Sequence, residues 1–388
     1  MSTRNVGETV TVCKEPFSYN SHPCVAMLDN GEWVTVFKHA ERLSIALHPT
    51  EFPLYHTMLT RSGDQGRTWS KPTVVPDYDW YGTEVPGVVQ LRDGTLIVSQ
   101  FRFAWYPLGL ARKRQLNGEP VFLFLPLPGG GHEWTNQIED DDWGKSFFPW
   151  ARGPHGLYVH ISRDYGYTFE DAVRIDCSPY HDGYNRTAVV ELSDGRIAHA
   201  VTEQHVPPSE RNLFVLFSST SGRSWQQPVL LSPPIGGSFR VGEPHLAEVG
   251  PNELVCVIRD TPDGSLGTHV QTSGFLQSCR SYDGGQSWSH PEPTPLLGHP
   301  GHLLMLSDGR LLCTYGRRVP PYGVRACLSE DGGRTWRADD EIVIRSDLST
   351  NDVGYATTIE YEPGSLFTAY YGGTSDGVTG VEGTYFDL

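Results

Sequence analysis

One short turn signature occurs five times in this chain of 388 residues, and it limits the fold more than any other feature. Each copy carries a Ser, a residue two further on that is Asp in four of the five, then Gly, a hydroxyl residue and an aromatic side chain. The copies run over 62–69, 162–169, 218–225, 281–288 and 329–336; the third has Thr220 in the Asp position and the second ends in Phe169. An Asp caps the backbone N–H groups of a tight turn, Gly takes the left-handed conformation, and an aromatic ring fills space between neighbouring sheets. A turn of this kind repeated along a chain predicts an array of like supersecondary units.

A second repeat is interleaved with the first. Six apolar runs are each broken by a hairpin turn, over 24–37, 87–101, 187–201, 245–258, 302–315 and 357–371. Asn-Gly or Asp-Gly between such runs is the strongest short-range hairpin signal. Six hairpins, five of them followed by the turn signature, predict an all-β, six-bladed β-propeller forming a single domain over 1–388. Only a short run to Phe386 follows the last hairpin, so the stretch Val10–Val12 is expected to complete blade six and remove the exposed sheet edges. With 42 Gly and 29 Pro, the composition suits many short strands joined by tight turns. The interval 103–156 exceeds the repeat. It contains ARKRQ at 111–115 and IEDDDW at 138–143, and is expected to be a flap over the pocket or a contact in a homo-oligomer.

The net charge of −16 argues against nucleic acid and anionic membrane as partners. The first ten residues show neither a basic run nor an apolar stretch, so the sequence reads as cytoplasmic. Seven cysteines without a C-x-x-C pair support neither a disulfide framework nor a zinc knuckle.

If the hairpin turns share one face of the ring, the residues entering each first strand and leaving each second strand meet on the other face. Entering are His22, Glu84, Asn185 with Arg186, Glu243, His299 with His302, and Tyr355; leaving are Arg42, Arg102, Glu203, Arg259, Arg317 with Arg318, and Tyr370 with Tyr371. A ring of Arg, Glu, His and Tyr is expensive to desolvate and points to a binding or catalytic mouth. The histidines lack the carboxylate pattern that orients metal ligands, so neither metal nor cofactor is expected.

The turn signature resembles the Asp box of the sialidase (BNR repeat) superfamily of six-bladed propellers, and the likeness extends to particular residues. The run 242–260, GEPHLAEVGPNELVCVIRD, implies Glu243 as catalytic carboxylate and Arg259 as a substrate arginine. The run 317–333 offers Arg325 as a second arginine, with Arg317 and Arg318 as competitors, and 351–361, NDVGYATTIEY, puts Tyr355 where the family has its nucleophile. Two departures accompany these matches. His22-Pro23-Cys24 stands where the family has Arg-Ile-Pro, and the stretch after Arg42 holds His48 and Glu51 but no Asp.

The resemblance implies a retaining exo-glycosidase that removes a terminal acidic sugar from a glycan, with an acid such as His48 or Glu51 serving the leaving group. Substrate contacts are then assigned to Arg42, Arg259, Arg325, Arg317, His22, Arg186, Glu84 and His302. A His/Tyr polysaccharide lyase or other glycosidase acting on uronic-acid glycans, and a non-catalytic glycan-binding propeller, are the alternatives.

Overall fold

The computed structural model describes residues 6–42, 56–76, 81–127, 132–206, 210–234, 239–262 and 274–388. Each hairpin becomes the inner half of an antiparallel sheet, and six such sheets form the blades of a propeller. Blade one shows the plan: Ser18–Met27 pairs with Trp33–Glu41, which pairs with His56–Ser62 and then Thr73–Val74. Blade six is assembled from both chain ends. Gly354–Glu362, Ser365–Gly373 and Thr379–Asp387 are joined by Val6–Cys13, with Val10 opposite Gly383. This pairing closes the ring without covalent help, since all seven cysteines are free and buried. Among the described residues no helix is long and apolar enough to cross a membrane.

The repeated turns work as their chemistry predicts. In the first copy the Gly66 N–H donates to Ser62 Oγ at 2.8 Å, the Thr68 N–H donates to Asp64 Oδ1 at 2.8 Å, and the Trp69 indole donates to the Gly66 carbonyl at 2.9 Å. Gly66 sits at φ +82°, where a side chain would be strained. The degenerate copy keeps the geometry because Thr220 Oγ1 accepts the Ser224 N–H at 2.8 Å, a hydroxyl standing in for the carboxylate. Each turn aromatic packs in the seam between its own blade and the preceding one. Trp69 lies in the seam of blades six and one, Phe169 in that of one and two, and Trp225, Trp288 and Trp336 in the next three.

The interval 103–156 is only partly an insertion. The second and third strands of blade two, Leu96–Pro107 and Trp150–Ser162, continue outward and stay paired from Pro154 opposite Phe103 to Trp150 opposite Pro107. Apolar and aromatic residues at these positions carry the ladder past the expected end, so the extra structure proper begins after Pro107. It comprises the helix Leu108–Leu116 and the hairpin of Leu123–Pro126 with His132–Thr135. Ala111, Val121, Leu123 and Leu125 pack with Ala151 of blade two, which fixes this structure against the propeller.

The turn carboxylates also set the acid stability. The hydroxyl and backbone N–H of Ser287 hold Asp283 at about 2, below the ordinary value of about 3.9 for a free Asp. A lowered native pKa gives stabilisation that is complete above the unfolded value and is lost as pH falls through about 2. Replacing Asp283 by Ala should therefore cost about 1 kcal/mol at neutral pH, the worth of a capping side chain. In thermal unfolding followed from pH 7 to pH 2, the gap between wild type and Asp283→Ala should narrow steadily below pH 4.

Candidate functional site

Four first strands are bent at the same place. The ladder slips between Ser21 and Cys24, between Glu84 and Gly87, between Gly242 and His245, and between Gly354 and Thr357. At each slip one residue is left-handed: His22 at φ +56°, Val85 at +44°, Glu243 at +49° and Tyr355 at +48°. Pro23, Pro86 and Pro244 follow three of them. Proline cannot donate to the ladder, so pairing breaks there and a bulge re-aims the preceding side chain. Left-handed backbone at bulky residues costs about 1–3 kcal/mol each and is found where the surrounding structure imposes it. The sequence places His22, Glu84, Glu243 and Tyr355 ahead of the strands; the structure runs the strands through them.

The bulges bring Glu243, Tyr355 and Arg259 together across blades four and six. Tyr355 donates its hydroxyl to Glu243 Oε1, Arg259 Nη1 donates to Glu243 Oε2 at 2.6 Å, and Arg259 Nη1 lies 3.4 Å from Tyr355 Oη. Tyr184, from blade three, adds a third donor to Glu243 at 2.8 Å. All three core members are buried. Burial alone drives the Glu243 carboxyl upward, yet the Arg259 charge and the three hydrogen bonds outweigh it and hold the group below its usual range. Burial, reinforced by the Glu243 charge, pushes the Tyr355 phenol well above its usual range. In the resting site the proton therefore sits on Tyr355, and Glu243 is ionised.

Three guanidinium groups surround the phenol. Besides Arg259, the Arg318 guanidinium lies 5.9 Å and that of Arg186 5.7 Å from the centre of the Tyr355 ring. Arg318 Nε donates to the Val353 carbonyl at 2.9 Å and its Nη2 to Tyr371 Oη at 3.2 Å. Arg186 reaches from blade three across the axis, where its Nη2 donates to the Ala356 carbonyl of blade six at 2.8 Å. Its Nε and Nη1 are buried without a partner among the described residues. His22 packs edge-on to Tyr355, ring centres 4.0 Å apart, and stacks on Tyr371 at 5.1 Å. Tyr371 and Tyr19 both donate to Asp352 at 2.8 Å. On the blade-two side, Glu84 accepts from Lys38 at 3.0 Å.

Other sequence candidates are held elsewhere. Arg325 is engaged by Glu341 at 3.3 Å and by the carbonyls of Val324, Arg345 and Pro321, while Arg318 occupies the position beside Tyr355. The reason is strand parity: Arg325 sits in the middle of Gly323–Ser329, away from the axis, whereas Arg318 follows directly on the second strand. Arg317 points to the Arg325 side of the blade, where its charge bears on that of Arg325. Arg42 is exposed and reaches the Pro16 carbonyl at 3.4 Å, not the tyrosine–glutamate cluster. His302 stacks on His245, ring centres 4.6 Å apart, and its Nδ1 accepts the Thr358 N–H at 3.4 Å. His48 and Glu51 lie outside the described residues. Sequence reasoning missed Tyr184 and Lys38. Lys38 had a signal, because it ends a run that is buried on both faces and shares the face of Val34 and Val36. Tyr184 had none beyond its closeness in sequence to Arg186.

Neither family models nor curated proteins match this sequence. Solved structures do. The chain is similar to a protein of unknown function from Dyadobacter fermentans, at 22% identity and a TM-score of 0.78, with all of both chains covered. It is also similar to the Hadza microbial sialidase Hz136, at 16% identity and a TM-score of 0.63, covering 95% of this chain and 66% of that one. A Penicillium chrysogenum alpha-L-arabinanase complexed with arabinobiose gives 13% identity and a TM-score of 0.61, covering 99% of this chain and 98% of that one. At these identities the likeness establishes a shared fold.

The buried pair makes a stability prediction that does not depend on activity. Glu243→Ala should lower the unfolding free energy by about 3–5 kcal/mol, because it leaves the Arg259 charge buried without its carboxylate. The double replacement Glu243→Ala with Arg259→Met should recover much of that loss. Urea unfolding of the four proteins of this double-mutant cycle measures the coupling.

Proposed function

We propose that this protein is a glycoside hydrolase of sialidase-like type that removes a terminal acidic sugar from a glycan. The observation that carries the reading is the Tyr355 hydroxyl donating to a carboxylate, Glu243, that Arg259 also holds. The fold is shared with structures named as a sialidase and an arabinanase, which supports glycosidase chemistry at this mouth.

A phenol of ordinary pKa about 10 is a poor nucleophile unless a base takes its proton as it attacks. Glu243 Oε1 already accepts that proton's hydrogen bond. In the mechanism, Tyr355 Oη bonds to the anomeric carbon, its proton passes to Glu243, and the C–O bond to the leaving group breaks. The departing oxygen takes a proton from an acid for which His48 and Glu51 are the candidates. Water then attacks the same carbon and gives a proton to the group that had served as acid, while the bond to Tyr355 Oη breaks and Oη recovers its proton from Glu243, releasing the sugar with retained configuration. A neutral phenol suits a substrate that already bears a carboxylate, because it adds no charge repulsion. Arg259, Arg318 and Arg186 supply the guanidinium groups for that carboxylate. An anion seated against Arg259 also weakens the field that keeps Glu243 a poor base, which raises its proton affinity when substrate is bound.

The ring contact between His22 and Tyr355 favours a second reading, elimination from a uronic-acid glycan. His22 would remove the proton on the carbon beside the carboxylate, the C–O bond to the next sugar would break, and Tyr355 would protonate the leaving oxygen. Its product absorbs in the ultraviolet because it holds a new double bond; the hydrolysis product does not.

A panel of aryl glycosides of sialic acid, other nonulosonic acids and uronic acids, read for released phenol, together with uronic-acid oligosaccharides read for unsaturated sugar, tests the two readings. For the hydrolase, one glycoside should release phenol without unsaturated product. Tyr355→Phe and Glu243→Gln should each lower kcat at least about a hundredfold, the scale of a lost nucleophile or base. Full activity in either variant would remove the mechanism.

A further inference from the structure

Beside the mouth, between the extra structure of blade two and the top of blade three, lies a cleft of about 450 Å³. That is the size of small-molecule sites, about 300–1,000 Å³. Its walls are aromatic, with Phe101, Phe122 and Trp134 among them, and the guanidinium groups of Arg152 and Arg211 and the amides of Asn136 and Gln204 complete the lining. None of the described residues lining it is acidic, although the chain carries a net charge of −16. Arg152 is held over the Phe103 ring at 3.6 Å and lies 5.0 Å from the Trp134 ring, so aromatic faces help to set its position. The half-buried Trp134 has a buried indole N–H with no partner among the described residues.

The cleft adjoins the reacting centre. Phe101, in its wall, packs edge-on to Tyr184 with ring centres 5.6 Å apart, and Tyr184 donates to Glu243. One side chain therefore separates the cleft from the catalytic carboxylate.

We propose that this cleft binds the part of the glycan on the leaving-group side of the scissile bond, and that it selects a sugar bearing an anionic substituent, carboxylate or sulfate. The inference rests on the glycosidase reading. Aromatic faces accept the C–H faces of a pyranose, amides bind hydroxyls, and paired guanidinium groups bind a planar or tetrahedral anion through charge-assisted hydrogen bonds. When the glycosidic C–O bond breaks, the sugar in the cleft leaves as the alcohol, carrying the proton delivered to its oxygen.

Binding can be measured without turnover. The full chain is titrated calorimetrically with a galacturonic acid tetrasaccharide, a sulfated galactose tetrasaccharide and uncharged maltotetraose. One anionic probe should bind at least about tenfold tighter than maltotetraose, and which of the two does so distinguishes carboxylate from sulfate. Arg152→Gln and Trp134→Ala, each checked for folding by thermal unfolding, should weaken that binding about tenfold. On the substrate found by the aryl glycoside panel, Trp134→Ala should lower kcat/KM for a glycan with an acidic sugar next to the scissile bond about tenfold more than for the aryl glycoside. Equal binding of all three probes, binding of none, or wild-type affinity in both variants would overturn the cleft assignment. Failure of the wild type to turn over any glycoside would instead overturn the hydrolase reading.

Discussion

A propeller blade presents the bare edge of its innermost strand to the axis, and here that edge is satisfied by the neighbouring blade. Val88 N–H of blade two donates to Cys24 Sγ of blade one at 3.3 Å, and Val25 N–H of blade one donates to Thr357 Oγ1 of blade six at 3.1 Å. Leu303 N–H donates to His245 Nδ1 at 3.0 Å and Thr358 N–H to His302 Nδ1, carrying the same link from blade four through blade six. Cys24, His245, His302 and Thr357 are equivalent positions, four residues before the apolar residue that opens each hairpin turn. Burial first, and then the Arg186 charge, keeps the His302 imidazole well below its usual range, so it is the neutral ring that can accept. Where blade three meets blade two the equivalent residue is Gly87, and a Cβ there would lie 2.1 Å from the Ala188 nitrogen. Contact replaces the hydrogen bond at that seam. These links hold the axis rigid, and Arg186 spans it.

The site is built directly on those links, two residues upstream of them in blades one, four and six. Strain and desolvation are concentrated there. Four bulky residues hold left-handed backbone, a carboxylate is buried among donors, and two guanidinium nitrogens of Arg186 are buried without partners among the described residues. Groups held this way are a cost to the fold that the inter-blade hydrogen bonds and the aromatic seams must offset. What results is a mouth with an excess of positive charge inside an acidic protein.

The propeller was legible because its signals are local. The turn hydroxyl, the capping carboxylate, the glycine and the aromatic act within eight residues, and hairpin turns mark each blade. Even the degenerate third copy keeps its function, since Thr220 supplies an acceptor of similar reach. The site was legible where residue type and topological position agreed, as for Glu243, Tyr355, Arg259, His22 and Arg186, which the structure gathers. It was not legible where the answer depended on strand parity or on neighbours distant in sequence. Arg325 and Arg318 differ by seven residues and by which way their strand directs them. Tyr184 meets Glu243 only because blades three and four are adjacent. The outward continuation of blade two past Phe103 was hidden by the Pro and Gly content of the interval that follows.

The recurring bulge has a consequence for how such a mouth can change its chemistry. Because the kink is produced by backbone and, in three of the four strands, by a following proline, the side chain riding on it is an interchangeable tool on a fixed mount. His22, Val85, Glu243 and Tyr355 are four such mounts bearing an imidazole, an alkyl group, a carboxylate and a phenol. Val85 is the one mount without a reactive group, so grafting Asp or Asn there, residues that tolerate this backbone, installs a new polar group in the cluster that holds Tyr355 without re-threading a strand.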